Sequence, residues 1–368
     1  MSNIISTKSN GIGLITLQRP EAINALSLDM VLNLTTTLME WRADPDVKAV
    51  AIRGSSKEGK FGNFCAGGDI RFFYNAAISG DRDLDTFFTE EYKLNHLIFN
   101  YPKPYIAFMD GIVMGGGMGI SQGASLRVVT ERSKVAMPET NIGLFPDVGG
   151  GYFLPKCPGF IGEYLGLTGK VLTGQQALAA NLADFAINSD GLANLWAILE
   201  SKTETAQDKL EKCVQTIRLG SLKKDEGWID TEIHSTFENE ELSTIMRILE
   251  KSESDWAKKT HSMLSKRSPL MMSVSLKQIK MGRHMSLSEE LKLERTLVQH
   301  CFYTKHLDRY REKTETVEGI RALVIDKDNS PNWHPTKISE ITSDMIDPFF
   351  VSPWSCLLYT SPSPRDVE

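Results

Sequence analysis

Cysteine is sparse in this chain of 368 residues, and Cys65, Cys157, Cys213, Cys301 and Cys356 are odd in number, far apart and without a C-x-x-C pair. That excludes a disulfide framework or zinc cluster as the source of stability and fits a reducing compartment. Long apolar runs are missing too. No segment approaches the roughly 20 apolar residues that span a bilayer. The N-terminal MSNIISTKSNGIG has no basic stretch followed by an apolar one. We therefore expect a cytoplasmic protein with no membrane partner, or a mitochondrial matrix protein if a presequence is missing from this chain. Positive charge is not in excess: 41 Lys and Arg face 47 Asp and Glu, a formal net charge of -6. A nucleic-acid partner is not expected. Walker, G-x-G-x-x-G and H-E-x-x-H patterns are absent, so nothing points to a nucleotide, a dinucleotide or a zinc site.

What is present is an ordinary globular composition, 41% hydrophobic and 24% charged, large enough for a core and a second subdomain. Up to about residue 191 the texture is α/β. GLITL, AVAIRG, PYIAFMDGIV, LRVVT and KVAMPE read as strands, and Asn10-Gly11 as a tight turn between the first two apolar runs. Met30, Val31, Leu34, Leu38 and Trp41 recur at three- and four-residue spacing after Ser27, as on an amphipathic helix. From 192 to 345 helical periodicity dominates. Ser268-Pro269 reads as a helix start, and Ser286 with Glu289 has capping-box spacing. Residues 346–368 end in the Ser/Pro-rich SPWSCLLYTSPSPRDVE and are set apart as a non-native or disordered tail.

Gly119-Ile120-Ser121-Gln122-Gly123 matches the G-x-S-x-G nucleophile elbow. The elbow needs a strand before its serine, and GGGMG makes a poor strand, so we read the match as chance. His300 and His306 likewise read as surface or satisfied core histidines. More telling is a series of glycine turns, each near acidic residues: NFCAGGDI with Gly67, Gly68 and Asp69, MGGGMG with Gly115 to Gly117, and MPETNIGLFPDVGGGYF with Glu139 and Asp147. Each alone is a tight turn. Together they offer bare backbone N–H groups, two of which could form an oxyanion hole at a helix N-terminus.

RPEAINAL, FCAGGDI, GIVMGGGMGIS and MPETNIGLFPDVGGGYFLP, in this order and spacing, resemble the crotonase (enoyl-CoA hydratase/isomerase) superfamily, and within it the 3-hydroxyisobutyryl-CoA hydrolase branch. FFTEEYKLNHLI and EGIRALVIDKDNSPNW extend that resemblance from about Gly13 to at least Trp333. It implies an α/β fold, a crotonase-like spiral of repeated ββα units with a mainly helical C-terminal region. It also implies an acyl-CoA partner whose thioester carbonyl is polarised by two backbone N–H groups, here those of Gly68 and Gly116. Hydratases of the superfamily use two glutamates, one corresponding to Glu139; the other position, three residues after Gly116, is Gly119. The hydrolase branch has an aspartate eight residues after the retained glutamate, which is Asp147, and Glu91 matches a further substrate-contacting glutamate.

The resemblance thus implies catalytic Glu139 and Asp147, substrate contacts from Glu91, Gly116, Glu139 and Asp147, and no metal or separate cofactor, CoA being part of the substrate. The implied reaction is hydrolysis of a short-chain acyl-CoA, 3-hydroxyisobutyryl-CoA of valine breakdown; a hydratase or isomerase and a non-catalytic acyl-CoA-binding protein are the alternatives. A homo-oligomer is compatible with all three. Read singly, Glu139 is an acid at a helix N-terminus, Asp147 a turn or cap residue and Glu91 an exposed helix charge.

Overall fold

The computed structural model describes residues 3–354. Strands β1 (Ile4–Ser9) and β2 (Ile12–Leu17) pair antiparallel with Ser9 opposite Ile12. Asn10 and Gly11 form the two-residue turn with φ of 39° and 86°. Both are positive, as a type I′ hairpin requires. The Ser27 hydroxyl then accepts the Met30 N–H and starts α1 (Leu28–Ala43), which buries Met30, Val31, Leu34, Leu38 and Trp41. These are the five positions whose spacing marked the helix.

The chain continues through β3 (Ala49–Gly54), α2 (Ile70–Ser79), α3 (Asp83–Phe99), β4 (Tyr105–Met109), β5 (Ile112–Met114) and α4 (Gly116–Gln122). Next come β6 (Leu126–Thr130), β7 (Lys134–Ala136), α5 (Gly150–Phe153), α6 (Ile161–Thr168), β8 (Leu172–Thr173), α7 (Gly174–Ala179) and β9 (Phe185–Ile187). One six-stranded sheet has the order β1-β2-β3-β4-β6-β9, parallel from β2 onward, and β5-β7-β8 form a smaller second sheet. The run PYIAFMDGIV is therefore not one strand. Gly111, with φ of 60°, turns the chain between β4 and β5 and sends them to different sheets.

Alternate residues of the central strands feed two cores, because side chains of a strand point to opposite faces. Ile15, Leu17, Val50 and Ile52 face the larger core, with Leu34 and Leu38 of α1. Ile12, Leu14, Ala49 and Ala51 face the other, which is closed by Leu195, Trp196 and Leu199 of α8 (Leu192–Glu200) and by Cys213 and Ile217 of α9 (Ala206–Leu219). The first helices after residue 191 thus cover the sheet instead of forming a separate body.

The helical region continues with α10 (Thr231–Phe237), α11 (Leu242–Lys251), α12 (Asp255–Leu264), α13 (Pro269–Gly282), α14 (Leu287–Phe302), α15 (Glu315–Ile320) and α16 (Ser343–Ile346). Ser268 caps α13, and Ser286 with Glu289 forms a capping box on α14. Beyond Phe302 the helical texture gives way to a short hairpin, Tyr303 opposite Tyr310.

The stretch set apart from residue 346 is in part folded: Asp347–Phe350 make a 3₁₀ turn, and Phe349 is buried in the larger core. The folded body reaches Phe350, while the Ser/Pro-rich end from 355 lies outside the described residues. Phe349→Ala is expected to lower stability by about 3–5 kcal/mol, the usual effect of deleting a buried phenyl ring. Urea unfolding checks this; an unchanged midpoint would mean that the ring's burial contributes nothing.

Candidate active site

The segment carrying Gly68 is fixed on both sides. The Cys65 N–H donates to the Ile112 carbonyl at 2.9 Å and the Met114 N–H to the Cys65 carbonyl at 3.0 Å, so this segment runs beside β5 and meets the glycine triplet that follows it. Leu26 and Asp69 complete the frame through Leu26 N–H to Gly67 O at 2.8 Å and Asp69 N–H to Leu26 O at 3.0 Å. The RPEAINAL motif is the scaffold here. Arg19 pairs with the Asp69 carboxylate at 2.7 Å, and Asn24 donates to the Ser55 and Asn63 carbonyls. Asp69 itself caps α2, accepting the Phe72 N–H at 3.2 Å.

Gly116 opens α4, so its N–H is one of the donors a helix leaves unpaired at its start. Among the described residues neither the Gly68 nor the Gly116 N–H has an acceptor within the protein. The two backbones are neighbours: a Cβ on Gly116 would lie 3.3 Å from the Gly68 nitrogen and 2.6 Å from Glu91 Oε1. A Cβ on Gly115 would lie 2.8 Å from Glu139 Oε1, and one on Gly117 2.4 Å from the Cys65 carbonyl. Three consecutive glycines are needed because carboxylates and a neighbouring backbone fill the space that side chains would take.

The carboxylates arrive from three directions. Glu91 projects from α3. Glu139 begins the 3₁₀ turn Glu139–Ile142, Gly143 with φ of 63° reverses the chain, and Asp147 returns to the same place. A cavity of about 110 Å³ is lined by Gly68, Gly116, Glu91, Glu139 and Asp147 together with apolar Phe73, Phe88 and Leu323. All five residues singled out in the sequence meet there. Glu91 is not an exposed helix charge; only 2% of it is accessible. Oε1 of Glu91 and Oε2 of Glu139 have no hydrogen-bond partner in the protein, whereas Asp147 Oδ2 accepts the Tyr92 hydroxyl at 2.9 Å.

Charge is poorly tolerated in this cavity. Burial pushes the Asp147 carboxyl up to about 7, against a smaller opposing effect of the Tyr92 hydrogen bond. Burial also holds Glu139 well above the usual carboxylate range, with the Asp147 charge adding to it. Glu91 is raised by burial and then by the charges of Asp147 and Glu139. The three carboxyls are coupled through their charges, so they titrate together and not independently.

A carboxyl whose pKa rises on folding holds its proton more tightly in the native state. For Asp147 that contribution is complete below its ordinary value of 3.8 and is lost as pH rises through about 7. Raising the pH from about 5 to about 8 is therefore expected to lower the wild-type Tm more than that of Asp147→Asn. Parallel Tm profiles of the two proteins would show that Asp147 titrates normally.

Two neighbours of the site lie inside the FFTEEYKLNHLI motif without having been singled out in the sequence. Tyr92 and Asn95 lie on the cavity face of α3, both buried, and both polar atoms of the Asn95 amide lack a partner in the protein. Their signal is the helical spacing Phe88, Glu91, Tyr92, Asn95, which places a carboxylate, a phenol and an amide on one face. Ser121 lies within α4 with its hydroxyl bonded to the Gly117 carbonyl at 2.8 Å, so it is not a nucleophile on an elbow. Gly119 is tightly enclosed: a Cβ there would lie 2.7 Å from Val148 Cβ and 2.8 Å from Asn95 Nδ2.

The sequence profile of the enoyl-CoA hydratase/isomerase family matches residues 12–350. The chain belongs to this family. Among curated relatives, it is 39% identical over 351 residues to the mitochondrial 3-hydroxyisobutyryl-CoA hydrolase of Xenopus tropicalis, covering 94% of this chain and 88% of that protein. It is 35% identical over 354 residues to the enzyme of the same name from Homo sapiens, covering 95% and 88%. Among solved structures, the carnitinyl-CoA dehydratase of Mycobacterium thermoresistibile superposes with a TM-score of 0.85 at 29% identity, covering 95% of this chain and 97% of that one. The crotonase fold, with its helical C-terminal region, is thereby shared by this member of the family, and no helix among its described residues is long and apolar enough to cross a membrane.

Proposed function

We propose that this chain hydrolyses 3-hydroxyisobutyryl-CoA to 3-hydroxyisobutyrate and CoA. The observation that carries the reading is the enclosed Gly119 beside the trio Glu91, Glu139 and Asp147. Where a hydratase of this family has its second glutamate there is no carboxylate, and Val148 and Asn95 occupy the space one would need. Two other carboxylates, Asp147 and Glu91, line the same cavity as Glu139 instead. The names of the frog and human relatives agree with this chemistry.

The thioester carbonyl oxygen sits between the Gly68 and Gly116 N–H groups, which are fixed before the substrate arrives and stabilise the oxyanion as it forms. Glu139 in its ionised form either takes a proton from water, whose oxygen bonds to the carbonyl carbon, or bonds to that carbon itself to give a mixed anhydride that water then opens. In either route the carbon–sulfur bond breaks, and a carboxyl still protonated in the same cavity returns a proton to the leaving CoA sulfur. Asp147 orients Glu139 or accepts the substrate's 3-hydroxyl. Water, a base and an acid balance this reaction, so the route we propose calls for no metal or redox cofactor.

The test is to incubate the purified protein with 3-hydroxyisobutyryl-CoA and with crotonyl-CoA, following free thiol and double-bond absorbance in parallel. Thiol release from the first is expected. Loss of double-bond absorbance without thiol would make the protein a hydratase, the chemistry nearest to the name of its dehydratase structural neighbour. Binding with neither signal would make it a non-catalytic acyl-CoA-binding protein. The cytoplasm is the compartment we propose; finding the tagged full-length protein in mitochondria, as in the names of the relatives, would overturn that.

A further inference from the structure

The turn carrying Asp147 is held from behind by side chains far along the chain. Gln278 of α13 donates its amide N–H to the Pro146 carbonyl at 2.9 Å, one residue before Asp147. Glu294 of α14 accepts the Gly149 N–H at 2.8 and 3.1 Å, two residues after it, and the Gly151 N–H at 3.4 Å. The same Gln278 amide reaches Glu290 at 2.9 Å and Glu294 at 3.3 Å, so the three side chains act as one unit. All three are fully buried.

Between the two anchors lies Val148, a β-branched residue at φ of 55°. Such a residue avoids the left-handed region, and the conformation persists only where its surroundings impose it. The anchors also account for the second glycine run. A Cβ on Gly151 would lie 2.1 Å from Glu290 Oε1 and 2.8 Å from the Gln278 amide nitrogen, and one on Gly282 of α13 would lie 1.8 Å from the Gly151 carbonyl.

We propose that Gln278 and Glu294 are positioning residues for Asp147, anchoring the chain on both sides of it so that the strained Val148 turn presents its carboxylate to the cavity. Glu290 completes the unit. Two carboxyls one helical turn apart and out of water do not readily ionise together; burial raises Glu290 to about 7 and holds Glu294 well above the usual carboxylate range, which favours a proton shared between them. An unshared negative charge there would repel the Asp147 carboxylate; a shared proton lets Glu294 accept two N–H groups at lower electrostatic cost.

This inference rests on the hydrolase reading, and wild-type thiol release tests that reading separately. In an active wild type, Glu294→Ala and Gln278→Met are expected to lower kcat by about 10- to 100-fold with KM changed by less than about 3-fold, as for a misplaced catalytic group. Glu294→Gln, which keeps an acceptor oxygen for Gly149, should recover kcat to within about 5-fold of wild type. In an Asp147→Asn background, adding Glu294→Ala should change kcat by less than about 3-fold, because the residue acts through Asp147. A merely structural role would multiply the two losses. Wild-type kcat in folded Glu294→Ala, or losses that multiply, overturns the proposal. If Glu294→Ala does not fold, Gln278→Met alone and in the Asp147→Asn background decides by the same two criteria.

Discussion

Glu139→Gln is expected to lower kcat by ~10² to 10⁴-fold, the span of a general acid–base role, while KM changes little. The amide has the shape of the carboxyl it replaces, and Glu139 Oε1 already packs against the space over Gly115, so the variant should fold as the wild type does. What it loses is the ability to accept a proton from water. Asp147→Asn is expected to cost less, since the amide oxygen can still accept the Tyr92 hydroxyl. If the two carboxyls act as one unit, the double variant should be scarcely slower than Glu139→Gln alone. Losses that multiply would mean that Asp147 holds the substrate independently through its 3-hydroxyl. Isobutyryl-CoA, which lacks that hydroxyl, then separates the cases: Asp147→Asn should narrow the preference between the two thioesters. Wild-type kcat in Glu139→Gln would sink the mechanism.

Gly116→Pro should remove at least ~10²-fold from kcat, as deletion of one oxyanion donor does. Proline lacks the N–H and leaves the helix intact, because Gly116 is the first residue of α4, the helical position that proline occupies most readily. Its ring carbon would, however, crowd Glu91 Oε1. Glu91→Ala, alone and combined with Gly116→Pro, tests that crowding, since the loss due to the missing donor persists when the crowded side chain is gone. Gly116→Ala keeps the donor and meets the same crowding. An alanine variant as slow as the proline variant would assign the effect to space and not to the N–H. Circular dichroism accompanies each assay, and full activity in a folded proline variant would remove Gly116 from the oxyanion hole.

Local chemistry wrote the parts of this protein that could be read directly. Asn10-Gly11 has the backbone freedom a type I′ hairpin demands, Ser27 and Ser286 cap helices within three residues of themselves, and the five apolar positions of α1 repeat at the helical period. Each such signal is complete within a few residues, and a sequence displays it in full. Gly68, Gly116, Glu91, Glu139 and Asp147 were named instead by the resemblance to the crotonase superfamily, and these five line one cavity. The division of PYIAFMDGIV between two sheets, the closing of the large sheet by α8 and α9, and the burial of Glu91 were decided elsewhere. An apolar run looks the same whichever sheet it joins, and an acid on a helix looks exposed until another element covers it. The grip of Gln278 and Glu294 on the Asp147 turn spans 132 and 145 residues. Contacts at that separation follow no period and no motif; only the packing of α13 and α14 against the Asp147 turn creates them, which is why tertiary structure alone determines how that carboxyl is held.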